Sequence, residues 1–123
     1  MQIILVADDD LDNRIIACEI LQSSGYAVRE AANGFEVLEA VAREKPDIIL
    51  LDLSMPKLDG WKTAERLRKD PAMKNIPIIA FTAHAMPGDE DKARQSGCDD
   101  YITKPYPPKK IIEKVREWLE RGQ

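Results

Sequence analysis

Acidic, hydroxyl and amino side chains follow separate apolar segments of the sequence, where short strands would end. The run Asp8–Asp10 follows the first apolar segment and Asp52 the third, while Thr82 ends the fourth and Lys104 follows the fifth. Acids held close together repel one another unless a cation neutralises them, and Mg²⁺ typically binds through one or two carboxylates plus waters. A carboxylate nucleophile, a divalent metal, a hydroxyl and a lysine together suit phosphoryl transfer. The residue types therefore predict a metal-assisted phosphoryl-transfer site.

Each of these residues, taken alone, also has a structural interpretation. An aspartate after a strand is more often the N-cap of the next helix, and Asp10 is predicted to have that role. A lone threonine or a lone Lys-Pro pair would indicate nothing. Their joint placement, each at the end of a different apolar segment, favours the chemical interpretation.

The elements that must position these residues are visible as an alternation of short apolar and longer mixed segments. Ile48–Leu51 is apolar throughout, which is typical of a parallel strand covered on both faces. The alternation predicts five βα units, with strands at Ile3–Ala7, Ala27–Glu30, Ile48–Leu51, Ile76–Phe81 and Tyr101–Thr103. In an open parallel α/β sheet, ligands bind beyond the carboxyl ends of the strands, where the strand order reverses.

Two of the predicted helices have unusual faces. The helix Leu11–Ser23 has two apolar sides. One side is predicted to face the sheet and consists of Ile16, Ala17, Ile20 and Leu21. The other is predicted to point to solvent near Asp52 and consists of Leu11, Ile15 and Cys18, a stripe that suggests a partner surface. The stretch Pro87–Ser96 is polar apart from Ala93, so it is predicted to be loosely held.

Length, charge and cysteine usage exclude several classes of function. The chain has 123 residues and a formal net charge of −4, which fits one compact domain without the basic face that nucleic-acid binding needs. No apolar run approaches the ~20 residues of a membrane span, so no membrane partner is expected. Cys18 and Cys98 are far apart and are interpreted as reduced thiols of a cytoplasmic protein.

Four ordered motifs resemble the receiver (response-regulator) family of two-component signalling, and the resemblance covers the whole chain. The motifs are Ile4–Asp10, Asp47–Gly60, Ile78–Ala83 and Asp100–Pro105. The resemblance implies an α/β, doubly wound, flavodoxin-like (βα)5 sandwich with a five-stranded parallel sheet in the order 2-1-3-4-5. It also implies a single receiver domain over residues 1–123, similar to single-domain, chemotaxis-regulator-like members.

Carried over residue by residue, the resemblance implies that Asp52 is the phosphoacceptor. It implies Mg²⁺ bound directly by Asp9 and largely through water by Asp8, with Asp52 and the backbone carbonyl of Ser54 as the other metal residues. Mn²⁺ or Ca²⁺ could substitute in binding, because oxygen ligands do not strictly select among these ions. Lys104 is implied to contact a phosphoryl oxygen.

The resemblance also implies a switch. Thr82 would bond the phosphoryl group and shift toward it, and Tyr101 would move inward as Thr82 leaves. Ser54 and His84 occupy the positions that tune phosphate lifetime in the family, although His84 also fits an exposed loop residue. Members often have a cis peptide bond before the proline that matches Pro105.

The implied function is a phosphorylation-activated signalling switch. A sensor histidine kinase or a histidine phosphotransfer protein would supply the phosphoryl group, and a downstream protein target would read altered contacts on the helix 4–strand 5–helix 5 face. The protein would catalyse only its own phosphorylation and dephosphorylation and would be a monomer or weak dimer. The residues expected to dock the partner are Leu11, Ile15, Cys18 and Pro105.

Three other functions fit the sequence less well. A phosphatase with an aspartyl intermediate needs a second acid two residues after the nucleophile, where this chain has Ser54. A flavin or nucleotide module needs a Gly/Ser/Thr-rich turn after the first strand, and Asp8–Asp10 would repel its phosphate. An unphosphorylated pseudo-receiver would not need the intact set of acids, threonine and lysine.

Overall fold

Short strands and helices alternate along the chain in the computed structural model, which describes residues 2–55, 57–83 and 87–121. The strands are β1 (Ile3–Ala7), β2 (Ala27–Ala31), β3 (Ile48–Leu51), β4 (Ile78–Thr82) and β5 (Asp100–Thr103). The helices are α1 (Leu11–Ser23), α2 (Gly34–Arg43), α3 (Gly60–Lys69), α4 (Asp89–Ser96) and α5 (Pro108–Arg121), with a short 3₁₀ turn at Pro71–Met73. All neighbouring strands are parallel, in the order β2-β1-β3-β4-β5. The predicted fold class and strand order are confirmed.

Helices cover both faces of this sheet, because successive strand residues point to opposite sides and both sides are apolar. All four residues of β3 are buried. Leu5, Ile49 and Leu51 belong to the core under α2, α3 and α4. Ile4, Ile48 and Leu50 belong to a second core under α1 and α5. None of the helices in the described ranges is long and apolar enough to cross a membrane.

Side-chain caps start three helices within a few residues of the preceding strand or loop. The carboxylate of Asp10 accepts a hydrogen bond from the backbone N–H of Asn13 at 3.1 Å, so its predicted N-cap role is confirmed. Asn33 caps α2 and Asp59 caps α3 in the same way.

The boundaries of three strands differ from the prediction. The fourth strand begins at Ile78 and extends through Thr82, whereas Ile76–Phe81 was predicted. Ile76 instead closes the 3₁₀ turn, with its backbone N–H bonded to the carbonyl of Met73, and Pro77 has no N–H to give to a strand ladder. The fifth strand includes Asp100, and the second runs one residue further, to Ala31.

The predicted faces of α1 are partly wrong. Ile16 was predicted to face the sheet but is 51% exposed, and Cys18 was predicted to face solvent but is 6% exposed. The buried stripe is Ala17, Cys18 and Leu21, and the side chain of Arg14 turns inward on the same side. Positions 14, 17, 18 and 21 have the i, i+3, i+4, i+7 spacing of one helical face. The apolar pattern of the sequence did not reveal this buried face, because an arginine occupies its first position.

Candidate functional site

The predicted chemical residues meet at the carboxyl edge of the sheet. The backbone N–H of Asp52 donates to the carbonyl of Ala7 at 2.9 Å, which places Asp52 beside the end of β1. The backbone N–H of Lys104 donates to the carbonyl of Thr82 at 2.9 Å, which places Lys104 beside the end of β4. Because these neighbouring parallel strands end at the same side of the sheet, side chains from four segments that are distant in sequence come close together.

Lys104 lies between two carboxylates. Its Nζ atom is 2.6 Å from Oδ2 of Asp8 and 3.3 Å from Oδ2 of Asp52. The ammonium group also stands 4.6 Å from the centre of the Phe81 ring, a cation–π distance that fixes the lysine stem against the core. The single positive charge of Lys104 is thus shared between the carboxylates of Asp8 and Asp52.

Three acids form a cluster at this edge. Asp8, Asp9 and Asp52 each offer a carboxylate oxygen, and these oxygens all lie within 4.8 Å of one another. Asp8 and Asp52 are buried, whereas Asp9 is exposed at the rim. Hard oxygen donors at this spacing, with one lysine shared between the two buried acids, fit a divalent cation such as Mg²⁺. The chemistry of the donor set therefore suits the predicted metal.

Burial acts on both buried acids, but with opposite outcomes. It raises the pKa of Asp8 to about 6, despite the opposing hydrogen bonds from Lys104 and from the backbone N–H of Asp10. It also acts to raise the pKa of Asp52. There, hydrogen bonds from Ser54 and the charge of Lys104 outweigh burial, so the pKa of Asp52 lies below its ordinary value. Asp52 is consequently the carboxylate best kept ionised, as a nucleophile must be.

Ser54 contacts Asp52 through two donors. The backbone N–H of Ser54 lies 3.0 Å from Oδ1 of Asp52, and its hydroxyl lies 2.9 Å from the same oxygen. The loop folds closely over Asp52, so a Cβ atom on Gly60 would clash with the carbonyl oxygen of Asp52. A residue larger than glycine at position 60 would therefore press on the backbone of Asp52.

The remaining predicted residues have mixed outcomes. Thr82 is fully buried at the end of β4, and Tyr101 is half-buried on β5, opposite Ala80 in register. The peptide bond between Lys104 and Pro105 is cis, as expected. His84, predicted to tune phosphate lifetime, lies outside the described residues.

An apolar groove of about 400 Å³ lies beside Lys104. Ile16 and Ile20 of α1 line one side, and Pro105, Tyr106 and Pro108 line the other. Leu11 and Ile15, predicted to dock a partner, are 56% and 41% exposed. Cys18, predicted with them, is buried and cannot form part of this surface; Ile16 provides the exposed apolar side chain instead.

One contact of the acid cluster was not predicted from the sequence. The guanidinium group of Arg14 donates to the backbone carbonyl of Asp8 at 2.8 Å and to the carboxylate of Glu30 at 2.9 Å. The single signal in the sequence is an arginine within about one helical turn of the acidic run. Its partners, a strand end and the neighbouring strand, are set by the tertiary fold.

Comparison with protein families and known sequences gives one consistent result. A family model described as the response regulator receiver domain matches residues 4–116. The polar-differentiation response regulator DivK of Brucella anthropi is 35% identical over 117 residues, which are 95% of this chain and 94% of DivK. DivK of Brucella ovis is 34% identical over the same shares.

Solved structures agree with the sequence relatives. A putative response regulator from Chloroflexus aurantiacus superposes with a TM-score of 0.93 at 31% identity, over 98% of each chain. The receiver domain of the sensor histidine kinase PA1611 from Pseudomonas aeruginosa, described with a magnesium ion coordinated in its active-site cleft, has a TM-score of 0.90. It is 32% identical, over 97% of this chain and 98% of that domain.

Proposed function

Because the chain belongs to the response regulator receiver domain family of two-component signalling, we propose that Asp52 accepts a phosphoryl group from a phosphohistidine donor. Receiver domains are signalling switches and not metabolic enzymes, and they interact with histidine kinases and downstream targets. The donor of this chain is a sensor histidine kinase or a histidine phosphotransfer protein. The protein catalyses only its own phosphorylation and dephosphorylation.

The observation that carries the proposal is the environment of Asp52. Its carboxylate is buried yet kept ionised, with Oδ1 bonded to Ser54 and Oδ2 facing Lys104. An oxygen of Asp52 attacks phosphorus as the P–N bond to the donor imidazole breaks, and the imidazole keeps the electron pair. Lys104 then shares its charge with a phosphoryl oxygen, and the Thr82 hydroxyl donates to another.

The residues that would hold Mg²⁺ are Asp8, Asp9, Asp52 and the backbone carbonyl of Ser54. The bound cation would supply positive charge that offsets the acids and the incoming phosphoryl oxygens. Asp9 is the exposed member, so its carboxylate would be the first ligand that a cation from solvent meets. Mn²⁺ or Ca²⁺ could substitute in binding.

The experiment that tests this function uses acetyl phosphate as a donor that needs no partner protein. Wild type is incubated with acetyl phosphate and Mg²⁺, the acyl phosphate is reduced with borohydride, and the modified peptide is mapped by mass spectrometry. Label is expected at Asp52, and the matched Asp52→Asn variant should fold and remain unlabelled. Label mainly at Asp8 or Asp9 would refute the assignment.

We further propose that the donor docks on α1 and the groove beside Lys104. Leu11, Ile15 and Ile16 are exposed apolar side chains of one helix, and Ile16 leads into the groove next to Pro105. An apolar surface that ends at the reactive lysine suits a helical partner that carries the phosphohistidine at its edge.

The output is proposed to pass through α4, β5 and α5. Helix α4 begins at Asp89, the preceding Gly88 offers no side-chain cap, and the helix buries only Ala93 and Ser96. Such a helix can be repositioned by a small free-energy bias, and the shift of Thr82 with the inward movement of Tyr101 would supply it. Hydrogen exchange with and without beryllofluoride tests this, and a change confined to the acid cluster would contradict it.

The lifetime of the phosphoryl group is proposed to depend on Ser54 and His84. The Ser54 hydroxyl already bonds the carboxylate that would carry the phosphoryl group. A cytoplasmic location is proposed as well, since Cys18 and Cys98 are both buried free thiols. The protein is proposed to act as a monomer or weak dimer.

A further inference from the structure

Arg14 is a cation that the proposed phosphoryl transfer does not use. It lies in the first turn of α1, and its side chain turns back toward the end of β1. The side chain is 15% exposed, unusually little for a charged surface residue. Its Nε donates to the carboxylate of Glu30 on β2 at 2.9 Å, and a terminal nitrogen donates to the carbonyl of Asp8 at 2.8 Å.

The carbonyl of Asp8 belongs to the peptide that joins Asp8 to Asp9. Strand β1 ends at Ala7, so the sheet ladder does not hold this carbonyl. The backbone N–H of Asp8 is still fixed by the carbonyl of Ala31 at 3.0 Å. Arg14 therefore fixes the other side of Asp8, and with it the peptide plane that sets where Asp9 projects.

The charge of Arg14 would by itself oppose a cation at the cluster. That charge is paired with Glu30 at hydrogen-bond distance, so the two largely cancel when seen from the acids. The hydrogen bond to the Asp8 carbonyl has no such cancellation. Arg14 is therefore expected to affect cation binding by orienting the Asp8–Asp9 peptide, and not through the electrostatic field of its guanidinium group.

We propose that Arg14 is a positioning residue for the metal-binding acids, holding the Asp8–Asp9 peptide so that both carboxylates can face one cation. Glu30 supports it by fixing the guanidinium group. This inference rests on the proposed metal site, but its test measures cation binding and not phosphorylation.

The test is calorimetric titration of Mg²⁺ into wild type and three variants. Arg14→Ala should weaken Mg²⁺ binding by about threefold to tenfold, the range expected for one hydrogen bond. Glu30→Gln leaves the bond to the Asp8 carbonyl in place, so it should change the affinity less than Arg14→Ala does. Arg29→Ala is the matched control. Arg29 lies on β2 next to Glu30, and its ion pair of 2.8 Å with Glu44 points away from the acids. Its removal should leave the affinity unchanged.

The opposite pattern would overturn the proposal. If Arg14 acted through its charge, Arg14→Ala would tighten Mg²⁺ binding and Glu30→Gln would weaken it most. Wild-type affinity in Arg14→Ala would also contradict the positioning role, while absence of Mg²⁺ binding in wild type would refute the metal site itself. If Arg14→Ala does not fold, Arg14→Lys replaces it. A lysine keeps the charge but cannot make the same forked bonds, so weaker binding supports the proposal and unchanged binding contradicts it.

Discussion

Asp8 and Asp52 are the same residue type at the ends of neighbouring strands, and their surroundings give them different ionisation behaviour. Asp52 receives two hydrogen bonds from Ser54, and the pKa of its carboxyl is held below the ordinary value. Asp8 is fully buried and its pKa is raised to about 6. Asp52, which receives hydrogen bonds from the loop, is thus the acid suited to attack phosphorus. Asp8, whose ionised form is disfavoured by burial, gains most from an added cation.

Lys57 adopts a backbone conformation that costs stability. Its φ angle is +64°, in the left-handed region that side chains with a Cβ atom disfavour. Replacement by glycine removes the clash but adds chain entropy to the unfolded state, so Lys57→Gly should raise the free energy of unfolding by about 0.5–1 kcal/mol. Urea unfolding of both proteins in EDTA measures this difference in the free energy of unfolding.

Lys57→Ala is the control for this change, because it removes the exposed side chain but keeps the Cβ atom. It should leave the stability near that of wild type. A glycine variant that is no more stable than the alanine variant would mean that position 57 carries no backbone strain.

At the scale of single elements, the sequence predicted well what depends on local pattern. The apolar run of β3 and the acid that follows it were sufficient to place Asp52 at a strand end. The burial of Cys18 and exposure of Ile16 could not be predicted in the same way, because an aliphatic stem and two tertiary bonds let Arg14 occupy an inward position. Hydrophobic periodicity counts such an arginine as a surface residue.

The exposed side of α1 should matter for transfer from a protein donor and not for transfer from a small molecule. Ile15→Asp or Ile16→Asp should slow phosphorylation by a phosphohistidine protein by about tenfold or more, because a charge would be buried in an apolar contact. Labelling by acetyl phosphate should be unaffected. Both rates are measured on the same protein preparations.

Ala42→Asp is the control for this pair, since Ala42 is an exposed apolar residue on α2, a helix that packs on the opposite face of the sheet. It should alter neither rate. Equal loss of both rates in the Ile15 and Ile16 variants would show damage to the helix and would contradict the docking surface.

Helix α5 is tied to β5 through Asp100. The carboxylate accepts the indole N–H of Trp118 at 2.8 Å and lies 3.0 Å from Nζ of Lys114. Burial acts to raise the pKa of Asp100, but these bonds outweigh it and the pKa is lowered. The folded state therefore binds this proton less readily than the unfolded state, whose carboxyl titrates near ~3.9.

Asp100→Asn should accordingly cost about 1 kcal/mol of stability at neutral pH. The difference from wild type should be complete above about pH 5 and disappear as the pH falls through the lowered pKa of Asp100. Denaturant unfolding from pH 7 to the acid limit measures this. Glu113→Gln on the same helix, whose carboxylate is 3.7 Å from the exposed Lys109, should change stability little. A pH-independent loss in Asp100→Asn would contradict the assignment.

At the scale of the whole molecule, the topology followed from the order of segments. Five βα units with short connections allow few topologies other than a parallel sheet. The strand order 2-1-3-4-5 was implied by the family motifs and is confirmed. The metric details of the site required the fold: Lys104 and Asp8 are 96 positions apart in sequence, yet their charged atoms are 2.6 Å apart. No local pattern encodes that distance.

The fold therefore places three acids close together with one lysine that contacts two of them, an arrangement that trades stability for chemistry. In the metal-free protein these acids repel one another, and burial of Asp8 and Asp52 adds a desolvation cost. A cation that binds only the folded chain should stabilise it by about 1.4 kcal/mol at ten times its dissociation constant. For a domain of this size, that is a rise in melting temperature of roughly 3–8 °C.

The central claim, that these acids form a repelling cluster that holds Mg²⁺, is tested most directly by thermal unfolding of wild type and Asp9→Ala, each in EDTA and in millimolar Mg²⁺. Wild type should melt several degrees higher in Mg²⁺ than in EDTA. Asp9→Ala should melt higher than wild type in EDTA and lose most of the response to Mg²⁺, because one repelling charge and one ligand are gone. If wild type melts at one temperature in both buffers while Asp9→Ala is less stable than wild type in EDTA, the acids do not form such a site.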